Sequence, residues 1–355
     1  MGGAERVCVE LINKFYEEGY AVDLVVLHTK DAPLVSRLNK GIKIIDLKIE
    51  NARKAFFPLK DALEKEQYDS CLVFNPQLAV VLILMRWLYK KLNFLLVARN
   101  INTLSEKLKL EKSFRHKYLN GTLIKTLYRK SDIFIAQSSG MKEDMVTTLG
   151  IPASKIVTIF NPKERQVIKE DSFRNEPTTR AKKEILFVGS LKTQKNLPFL
   201  LKSVKALSNI RCDFVLRVVG DGEHRIELES MTENLMLSEY VSFEGRSTKI
   251  SEYYRKADVV VLTSWYEGFP NVLVEALSYD VPVVSVDCKS GPDDIIIDNV
   301  NGFLVKGYDE GGFAQKLNDA LNKNWDRNEI QQTTEKFSFD AIYRQYKKVL
   351  TGEIS

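Results

Sequence analysis

Short apolar runs recur along the whole chain, and each is followed by a longer stretch with helical spacing. A first series occupies residues 21–27, 42–47, 70–74, 93–98 and 132–137 and closes with 155–162. A second series occupies residues 185–189, 213–220, 240–245, 258–264 and 281–286. Runs that are apolar on both faces are typical of parallel strands covered by helices on either side. The alternation therefore predicts an α/β fold made of two consecutive doubly wound halves.

Two facing Rossmann-like domains with a ligand cleft between them are the architecture that this alternation favours. A length of 355 residues suits two domains of about 150–200 residues each. Residues 163–184 are polar and charged and lack an apolar period, so they are expected to form the linker. The predicted N-terminal domain is then 1–162 and the C-terminal domain 185–336. Ligands of such sheets bind outside the carboxyl ends of the strands.

The start of the chain departs from this pattern. A Rossmann half normally opens with a strand, whereas this chain opens at a turn, GGAERV, and continues into a predicted helix from Ala4 to about Glu18. Either the start has been placed too late, or the domain lacks a strand that is usually central. Backbone groups left without that strand would each cost about 1–3 kcal/mol if buried.

The composition argues against several classes of protein. The four cysteines are far apart and form no CxxC pair, which argues against a disulfide framework or a zinc site and favours a reducing cytosol. The longest purely apolar run, 78–85, is far shorter than the roughly 18 residues of a spanning helix. A net charge of +5 does not by itself indicate a nucleic-acid binder. We therefore expect a cytoplasmic protein, soluble or held peripherally at the inner face of the cell membrane.

The stretch SWYEGFPNVLVEALSYDVPVV, residues 264–284, places two glutamates where a strand pattern changes into a helix pattern. Asn271 is the expected N-cap of that helix, whose first amides could hold a diphosphate. Gly268 would let a ligand approach the backbone closely. Glu267 and Glu275 are suited to accepting hydrogen bonds from sugar hydroxyls. Taken alone, the same spacing also fits an ordinary strand–loop–helix with solvated glutamates.

The segment YEGFPNVLVEAL, residues 266–277, resembles the E-x7-E signature of the family 4 retaining glycosyltransferases, which have the GT-B fold. Further segments resemble the same family in the expected order along the chain: 2–7, 159–162, 186–201, 218–225, 241–246, 290–296 and 298–305. The resemblance covers nearly the whole chain. It implies a GT-B fold, with the amphipathic C-terminal helix, 337–352, packing back onto the N-terminal domain.

The resemblance also implies roles for the catalytic and donor-binding residues. Glu267 would contact hydroxyls of the donor sugar, and Glu275 would bind the ribose of the nucleotide. Lys195 would clamp the diphosphate and, with Glu267, serve catalysis, whereas Ser190 stands where the family usually has an arginine. Backbone groups and flanking residues would complete the donor site: Gly2, Gly3, Phe243, Arg246, Gly268, Phe269, Asn271 and Val272.

The sequence gives fewer indications of how the acceptor is bound and whether a metal is used. Family members often carry an acceptor-side histidine after the strand that matches 93–98, and this chain has Arg99 and Asn100 there. We therefore assign those two residues an acceptor role. The sequence has no DxD triplet and offers no convincing covalent nucleophile, so neither a metal nor a cofactor is expected. A GDGEHR segment, 220–225, is a weak dinucleotide fingerprint and is better interpreted as a tight strand-to-helix turn.

Residues 86–130 form a basic segment, with twelve lysines and arginines against two glutamates. Aromatic residues such as Trp87 and Tyr89 are interleaved with the cations. This combination suits an anionic membrane surface, although such charge runs are often only solvated helix faces. A lipid-linked acceptor at the cytoplasmic leaflet would explain the charge.

These observations predict a retaining glycosyltransferase that moves a sugar from a nucleotide-sugar, expected to be a UDP-sugar, to a growing glycan. The acceptor would be lipid-linked, for example to undecaprenyl diphosphate, in the synthesis of a bacterial envelope polysaccharide or lipopolysaccharide. One alternative is a catalytically silent nucleotide-sugar-binding subunit of a transferase complex. Another is a GT-B sugar-nucleotide epimerase or a phosphorylase. No nucleic-acid partner is expected, because the basic residues lack a recognised motif.

Overall fold

Six parallel strands form the sheet of residues 163–339, one of two units into which the chain divides; the other comprises residues 1–162 and 340–355. The computed structural model describes residues 3–30, 33–100, 126–163 and 181–353. Gly2, most of the predicted linker and residues 101–125 of the basic segment lie outside the described residues.

The C-terminal unit is a doubly wound α/β domain. Its strands are β7 (Lys183–Val188), β8 (Phe214–Val219), β9 (Val241–Gly245), β10 (Val259–Leu262), β11 (Val283–Val286) and β12 (Gly302–Val305). Its helices are α5 (Leu197–Ser208), α6 (Arg225–Asn234), α7 (Ile250–Lys256), α8 (Asn271–Ser278), α9 (Pro292–Ile295), α10 (Glu310–Asn322) and α11 (Arg327–Gln332). The strand order β12-β11-β10-β7-β8-β9 is that of a Rossmann fold, with the first strand of the unit in the middle. The fully buried apolar strands, β10 and β11 above all, have the composition expected of a sheet covered on both faces.

The N-terminal unit is built on the same principle. Its strands are β1 (Asp23–Val26), β2 (Lys43–Asp46), β3 (Ser70–Val73), β4 (Leu95–Arg99), β5 (Ile133–Ala136) and β6 (Ile156–Thr158), all parallel to their partners. Its helices include α1 (Gly3–Glu17), α2 (Phe56–Glu64), α3 (Pro76–Leu88), α4 (Ser139–Leu149) and α12 (Phe339–Leu350). Buried side chains of α2, α3 and α4 join those of β4 and β5 in one hydrophobic cluster.

The N-terminal strands do not form one continuous sheet. β1 pairs with β2, and β3 to β6 form a separate four-stranded sheet. The starts of β1 and β3 are joined by a side-chain hydrogen bond, in which Tyr68 Oη donates to Asp23 Oδ2 at 2.7 Å. Within the described residues, the unit begins with α1 and has no strand in the central position that β7 holds in the C-terminal unit. That the domain lacks its usual first strand stays a prediction.

The C-terminal helix α12 belongs to the N-terminal unit, except for its first residue. Tyr343 meets Phe15 of α1 edge to face, with ring centroids 4.9 Å apart. Lys347 Nζ donates to Glu18 Oε2 at 3.0 Å, just beyond the end of α1. The last helix of the chain thus packs against the first.

The predictions from sequence miss one strand and misplace one helix cap. No strand was predicted at β12, although the Asn301-Gly302 pair at its start and the apolar residues after it carry a short strand signal. Asn271 was expected to cap α8, but Pro270 occupies the N-cap position and Asn271 is the first residue of the helix. The predicted GDGEHR turn is confirmed, because β8 ends at Val219 and α6 begins at Arg225.

We predict that backbone amides of β1 and β2 exchange with deuterium at least tenfold faster than those of β4 and β5. A two-stranded pair is marginally stable, and both of its strands are only partly buried, whereas β4 and β5 are almost wholly buried. Hydrogen exchange followed by mass spectrometry measures the difference. The matched control is β12, an edge strand attached to a six-stranded sheet. Protection in β1 and β2 equal to that in β4 and β5 would contradict this account.

Candidate active site

The loops after β7 and β10 lie side by side at the point where the strand order of the C-terminal sheet reverses. From β7, the chain adds β8 and β9 on one side and β10 to β12 on the other. Ligands of open α/β sheets bind at such a switch point. Three hydrogen bonds to backbone oxygens join the loops: Trp265 N donates to Gln194 O at 2.9 Å, Gln194 Nε2 to Tyr266 O at 2.8 Å, and Thr263 Oγ1 to Lys195 O at 3.0 Å.

A buried ion pair occupies this point. Lys195, at the end of the short 3-10 helix Thr193–Lys195, donates from Nζ to Glu267 Oε1 at 2.6 Å. Ser264 Oγ donates to the same oxygen, also at 2.6 Å. Glu267 is only 8% exposed, so its charge depends on these partners rather than on water. The structure thus brings together two of the predicted site residues, which are 72 positions apart in sequence.

The loop that carries Glu267 is fixed from two further directions. Tyr308 Oη donates to Ser264 O at 2.8 Å, and the Tyr308 ring lies 4.2 Å from that of Trp265. Glu267 N donates to Lys289 O at 3.0 Å, which ties the loop to the segment after β11. Such supports hold a functional carboxylate in one position. Sequence reasoning did not identify Ser264 or Tyr308, because their contacts with this loop are made only in the folded chain.

Gly268 to Pro270 pack closely against the loop that follows β11. A Cβ atom on Gly291 would lie 2.5 Å from Pro270 Cδ, and Gly291 has a φ of +104°. Only glycine fits that position without a shift of the neighbouring backbone. Gly268 and Phe269 are buried, and Val272 is partly buried in the first turn of α8. The predicted backbone lining therefore lies beside Glu267, as the sequence order requires.

Glu275 lies in the second turn of α8 and has a partner that the sequence did not indicate. Its Oε2 accepts a hydrogen bond from Tyr254 Oη at 2.8 Å. The buried Tyr254 ring stacks on Tyr279 with a centroid distance of 5.3 Å. The carboxylate is half-buried and oriented by a fixed phenol, which suits a group that receives hydroxyl hydrogen bonds.

The remaining predicted donor residues lie at the ends of β7 and β9. Ser190 is exposed just after β7, and Phe243 is half-buried on β9. The Arg246 side chain is 84% exposed, with Nε 4.0 Å from Asp221 Oδ2. These residues make no contact with the Lys195–Glu267 pair among the described interactions. Their assignment to the donor site stays a prediction.

His224 connects the loop after β8 to the loop that carries Lys195. Its Nε2 lies 2.8 Å from Thr193 Oγ1, and its Nδ1 lies 3.0 Å from Glu227 Oε2. A second close approach supports this junction, because a Cβ on Gly220 would lie 1.8 Å from Gly189 O. The loops that follow β10, β7 and β8, which are neighbours in the sheet, are thus in contact.

Cys288 is buried near the ion pair. Burial, followed by the negative charge of Glu267, raises the pKa of its thiol to about 12, with Lys195 acting in the opposite direction. The thiol is therefore neutral at physiological pH. A neutral group beside Glu267 leaves the charge balance of the pair unchanged.

In the N-terminal unit, the predicted acceptor residues are buried in a hydrogen-bond network. Arg99 is 1% exposed, donates to Tyr346 Oη at 2.7 Å and to Asn161 Oδ1 at 2.6 Å, and lies over the Phe74 ring. Asn100 accepts from Tyr128 Oη and, through its backbone oxygen, from Gln137. This geometry gives both residues a structural role, and an acceptor role stays a prediction. Gly3 begins α1, whereas Gly2 lies outside the described residues.

The described residues show neither a metal-binding cluster nor a membrane-spanning helix. They contain no group of three or more histidine, cysteine, aspartate or glutamate side chains that could hold a metal ion. None of their helices has both the length and the apolar character needed to cross a bilayer.

Two family descriptions match the chain in succession. The description "Glycosyltransferase Family 4" matches residues 1–163, and "Glycosyl transferases group 1" matches residues 168–337. The matches take in nearly all of both units.

Among characterised proteins, the chain is similar to bacterial enzymes that build glycans. It is 31% identical to the lipopolysaccharide 1,6-galactosyltransferase of Escherichia coli K12 over 233 residues, and this match covers 63% of each chain. It is 27% identical over 98% of its length to a Campylobacter jejuni α-1,4-N-acetyl-D-galactosaminyltransferase, of which the match covers 95%. The name of that enzyme specifies an undecaprenol diphosphate-linked substrate.

Solved structures show the fold. The lipopolysaccharide outer core galactosyltransferase WaaB aligns over 99% of this chain and 96% of its own, with a TM-score of 0.79 at 21% identity. Anabaena Alr3699/HepE in complex with UDP aligns over the same shares with a TM-score of 0.76 at 18% identity. The expected GT-B fold of two Rossmann-like domains is confirmed.

We predict that Lys195 and Glu267 stabilise the fold through each other. Lys195→Met leaves Glu267 buried without its cation and should lower the free energy of unfolding by about 1–3 kcal/mol. In a Glu267→Gln background the same substitution should cost much less, which gives a coupling energy of about 0.5–3 kcal/mol in a double-mutant cycle. Urea unfolding measures the four free energies. Lys202→Met, at an exposed lysine of α5, is the control and should change stability little. Additive effects of the two substitutions would contradict a direct pair.

We also predict that Cys212 alone reacts readily with iodoacetamide in the folded protein at neutral pH. Cys212 is exposed, whereas burial raises the pKa of Cys8 to about 11 and of Cys71 and Cys288 to about 12. The thiolate is the reactive form, so neutral thiols alkylate slowly. Peptide mass spectrometry identifies the labelled residue, and labelling after unfolding should reach all four cysteines. Fast labelling of Cys288 in the folded protein would show that the site is more open than described.

Proposed function

The chain belongs to glycosyltransferase family 4, and on that premise we propose that it transfers a sugar from a nucleotide-sugar to a growing glycan with retention of anomeric configuration. The expected donor is a UDP-sugar. The expected acceptor is a lipid-linked glycan of a bacterial envelope polysaccharide or lipopolysaccharide, reached from the cytoplasmic side at an anionic membrane surface.

The Lys195–Glu267 pair at the switch point is the observation that carries the proposal. Cleavage of a sugar–diphosphate bond places negative charge on the departing phosphate, and a fixed cation stabilises that charge. A lysine ammonium has three protons, and one of them is directed at Glu267 Oε1. The other two protons can be directed at phosphate oxygens. In the first turn of α8, Asn271 N and Leu273 N already donate to backbone oxygens, which leaves the amide of Val272 as a further donor.

Glu275 suits the role of ribose ligand. Tyr254 donates to one of its oxygens and so orients the carboxylate. A carboxylate can accept hydrogen bonds from both hydroxyls of a vicinal ribose pair. The partial burial of Glu275 strengthens such bonds by limiting competition from water.

In the proposed reaction, the acceptor hydroxyl attacks the anomeric carbon from the face that the diphosphate leaves. A bond forms between the acceptor oxygen and the anomeric carbon, and the bond from that carbon to the phosphate oxygen breaks. The electron pair goes to the diphosphate, and the hydroxyl proton is taken up by the leaving phosphate. Glu267, held by Lys195 and Ser264, positions the donor sugar by accepting hydrogen bonds from the hydroxyls of that sugar. The step requires no covalent enzyme intermediate, metal or cofactor.

The relatives support the class of acceptor. One acts, by its name, on lipopolysaccharide and another on an undecaprenol diphosphate-linked glycan. The Anabaena neighbour was crystallised with UDP, which makes UDP the first nucleotide to test. Retention, the UDP-sugar and the membrane-borne acceptor are our inferences for this chain.

We predict that UDP or a UDP-sugar, and no other nucleoside diphosphate at equal concentration, raises the thermal stability of the protein. At 100 times its dissociation constant, a ligand adds about 2.7 kcal/mol to the free energy of unfolding. Glu275→Ala should abolish the shift. Tyr254→Phe should weaken binding about tenfold, because Glu275 loses a charged hydrogen bond. Tyr253→Phe, in the neighbouring position of α7, is the matched control.

Transfer itself is followed by NMR of the anomeric proton, with the selected UDP-sugar and a polyprenyl diphosphate-linked glycan. We expect the donor configuration in the product, activity in the presence of EDTA, and a 10²–10³-fold lower kcat, roughly, in Lys195→Ala. Selective UDP binding without transfer would favour a silent binding subunit. Conversion of the donor without an acceptor would favour an epimerase. Binding of no nucleotide would overturn the donor site.

A further inference from the structure

Two large apolar side chains at the end of α3 point into water. Trp87 is 56% exposed and Leu88 is 68% exposed, although the preceding turns of the helix are buried in the core. Phe57 of α2 is also strongly exposed, whereas Ile226 and Met236 belong to the C-terminal unit. Adjacent exposed apolar residues on a monomer commonly mark a protein or membrane contact.

Cations surround these two side chains. Lys90 and Lys91 follow the helix directly and are exposed, and so are Arg129 and Lys130 before β5. These four residues have no ion pair among the described interactions, whereas Arg86 is paired with Asp132 at 2.5 Å. The surface therefore keeps a strong positive charge beside its apolar centre.

A cavity of about 270 Å³ brings the two sets of cations together. Its lining combines apolar, amide and basic side chains: Ile83, Arg86, Trp87, Lys90, Leu92, Asn93 and Lys130. This volume lies just below the range of about 300–1,000 Å³ for drug-sized ligands. It suits a group of the size of a phosphate ester with its glycerol, at which Lys90 and Lys130 can both be directed.

This surface lies at the end of its own sheet opposite to the edge at which ligands of such sheets bind. A helix between parallel strands runs opposite to them, so the end of α3 lies near the amino ends of β4 and β5. Ligands of such sheets bind at the carboxyl ends. Changes at the end of α3 can therefore alter docking without touching residues assigned to donor binding.

We propose that the Trp87 surface, defined as Trp87, Leu88, Lys90, Lys91, Arg129 and Lys130, docks the N-terminal unit on an anionic lipid bilayer. Trp87 and Leu88 insert at the interface, and the cavity receives the phosphate of a lipid headgroup. Tryptophan with lysines and arginines is the combination that favours this interface. The proposal is argued from the surface itself and rests on the proposed function only in its expectation of a membrane-borne acceptor.

The test is flotation of the full chain with vesicles of phosphatidylglycerol and phosphatidylcholine in equal parts, compared with phosphatidylcholine alone. We expect binding to the anionic vesicles at low salt, weakened by high salt. Lys90→Ala with Lys91→Ala should lower the partition coefficient about 25-fold, at about fivefold per cation. Trp87→Ser should lower it about tenfold or more. Controls in the C-terminal unit, Ile226→Ser and Lys202→Ala, should bind as the unaltered protein does.

A second measurement identifies the contact directly. In a chain with Trp265→Phe and Trp325→Phe, brominated anionic lipids should quench the fluorescence of Trp87. Excess glycerol phosphate should not release the protein if the bilayer, rather than a free phosphate, is the ligand. UDP-induced stabilisation should be unchanged in the Trp87 and lysine variants, which separates failure of docking from failure of the donor site. Absence of vesicle binding, or binding unaffected by these substitutions, would overturn the proposal.

Discussion

The central strand β7 is the constraint on which the C-terminal unit depends. It pairs with β8 on one side, through six residues, and with β10 on the other, through two. The chain therefore extends the sheet first on one side of β7 and then on the other. That reversal leaves the loops after β7 and β10 side by side at one edge. Lys195 and Glu267 meet there because each follows one of these strands. The ion pair is thus a consequence of strand order rather than of local sequence.

The described strands of the N-terminal unit form two sheets rather than one. β1 and β2 stay separate from the sheet of β3 to β6 in the described residues, and side chains rather than backbone ladders connect the two parts. The end of the chain contributes to the same unit, because α12 packs against α1 and its Tyr346 accepts a hydrogen bond from the buried Arg99. Long-range side-chain contacts therefore supply cohesion that a continuous sheet would otherwise provide.

The sequence predicts more of the fold than of the site. Eleven of the described strands follow from apolar runs, because strands buried on both faces need such runs regardless of their neighbours. β12 was not predicted because its four residues are too few to show a clear strand periodicity. The cap at Asn271 was wrong because Pro270 sets the helix start one residue earlier. Glu267, Lys195 and Glu275 were predicted from a family resemblance, and the structure brings the first two together. Ser264, Tyr254 and Tyr308 were not predicted, because their contacts with these residues form only in the folded chain. The burial of Arg99 and Asn100 could not be predicted, because it depends on contacts with distant residues such as Tyr346 and Tyr128.

Charge balance connects the site to the chemistry proposed for it. Lys195 is already matched by Glu267, so the described pair is close to neutral before any donor binds. A diphosphate would bring additional negative charge into a partly buried site, and one shared lysine cannot offset it alone. The N-terminal amides of α8 supply part of the compensation. Because Ser190 stands where the family usually has an arginine, the remaining charge must come from another cation. The exposed Lys192, on the same loop, is the nearest candidate in sequence. Donor affinity in this chain should therefore depend on backbone amides and an exposed lysine more than on a preformed arginine clamp.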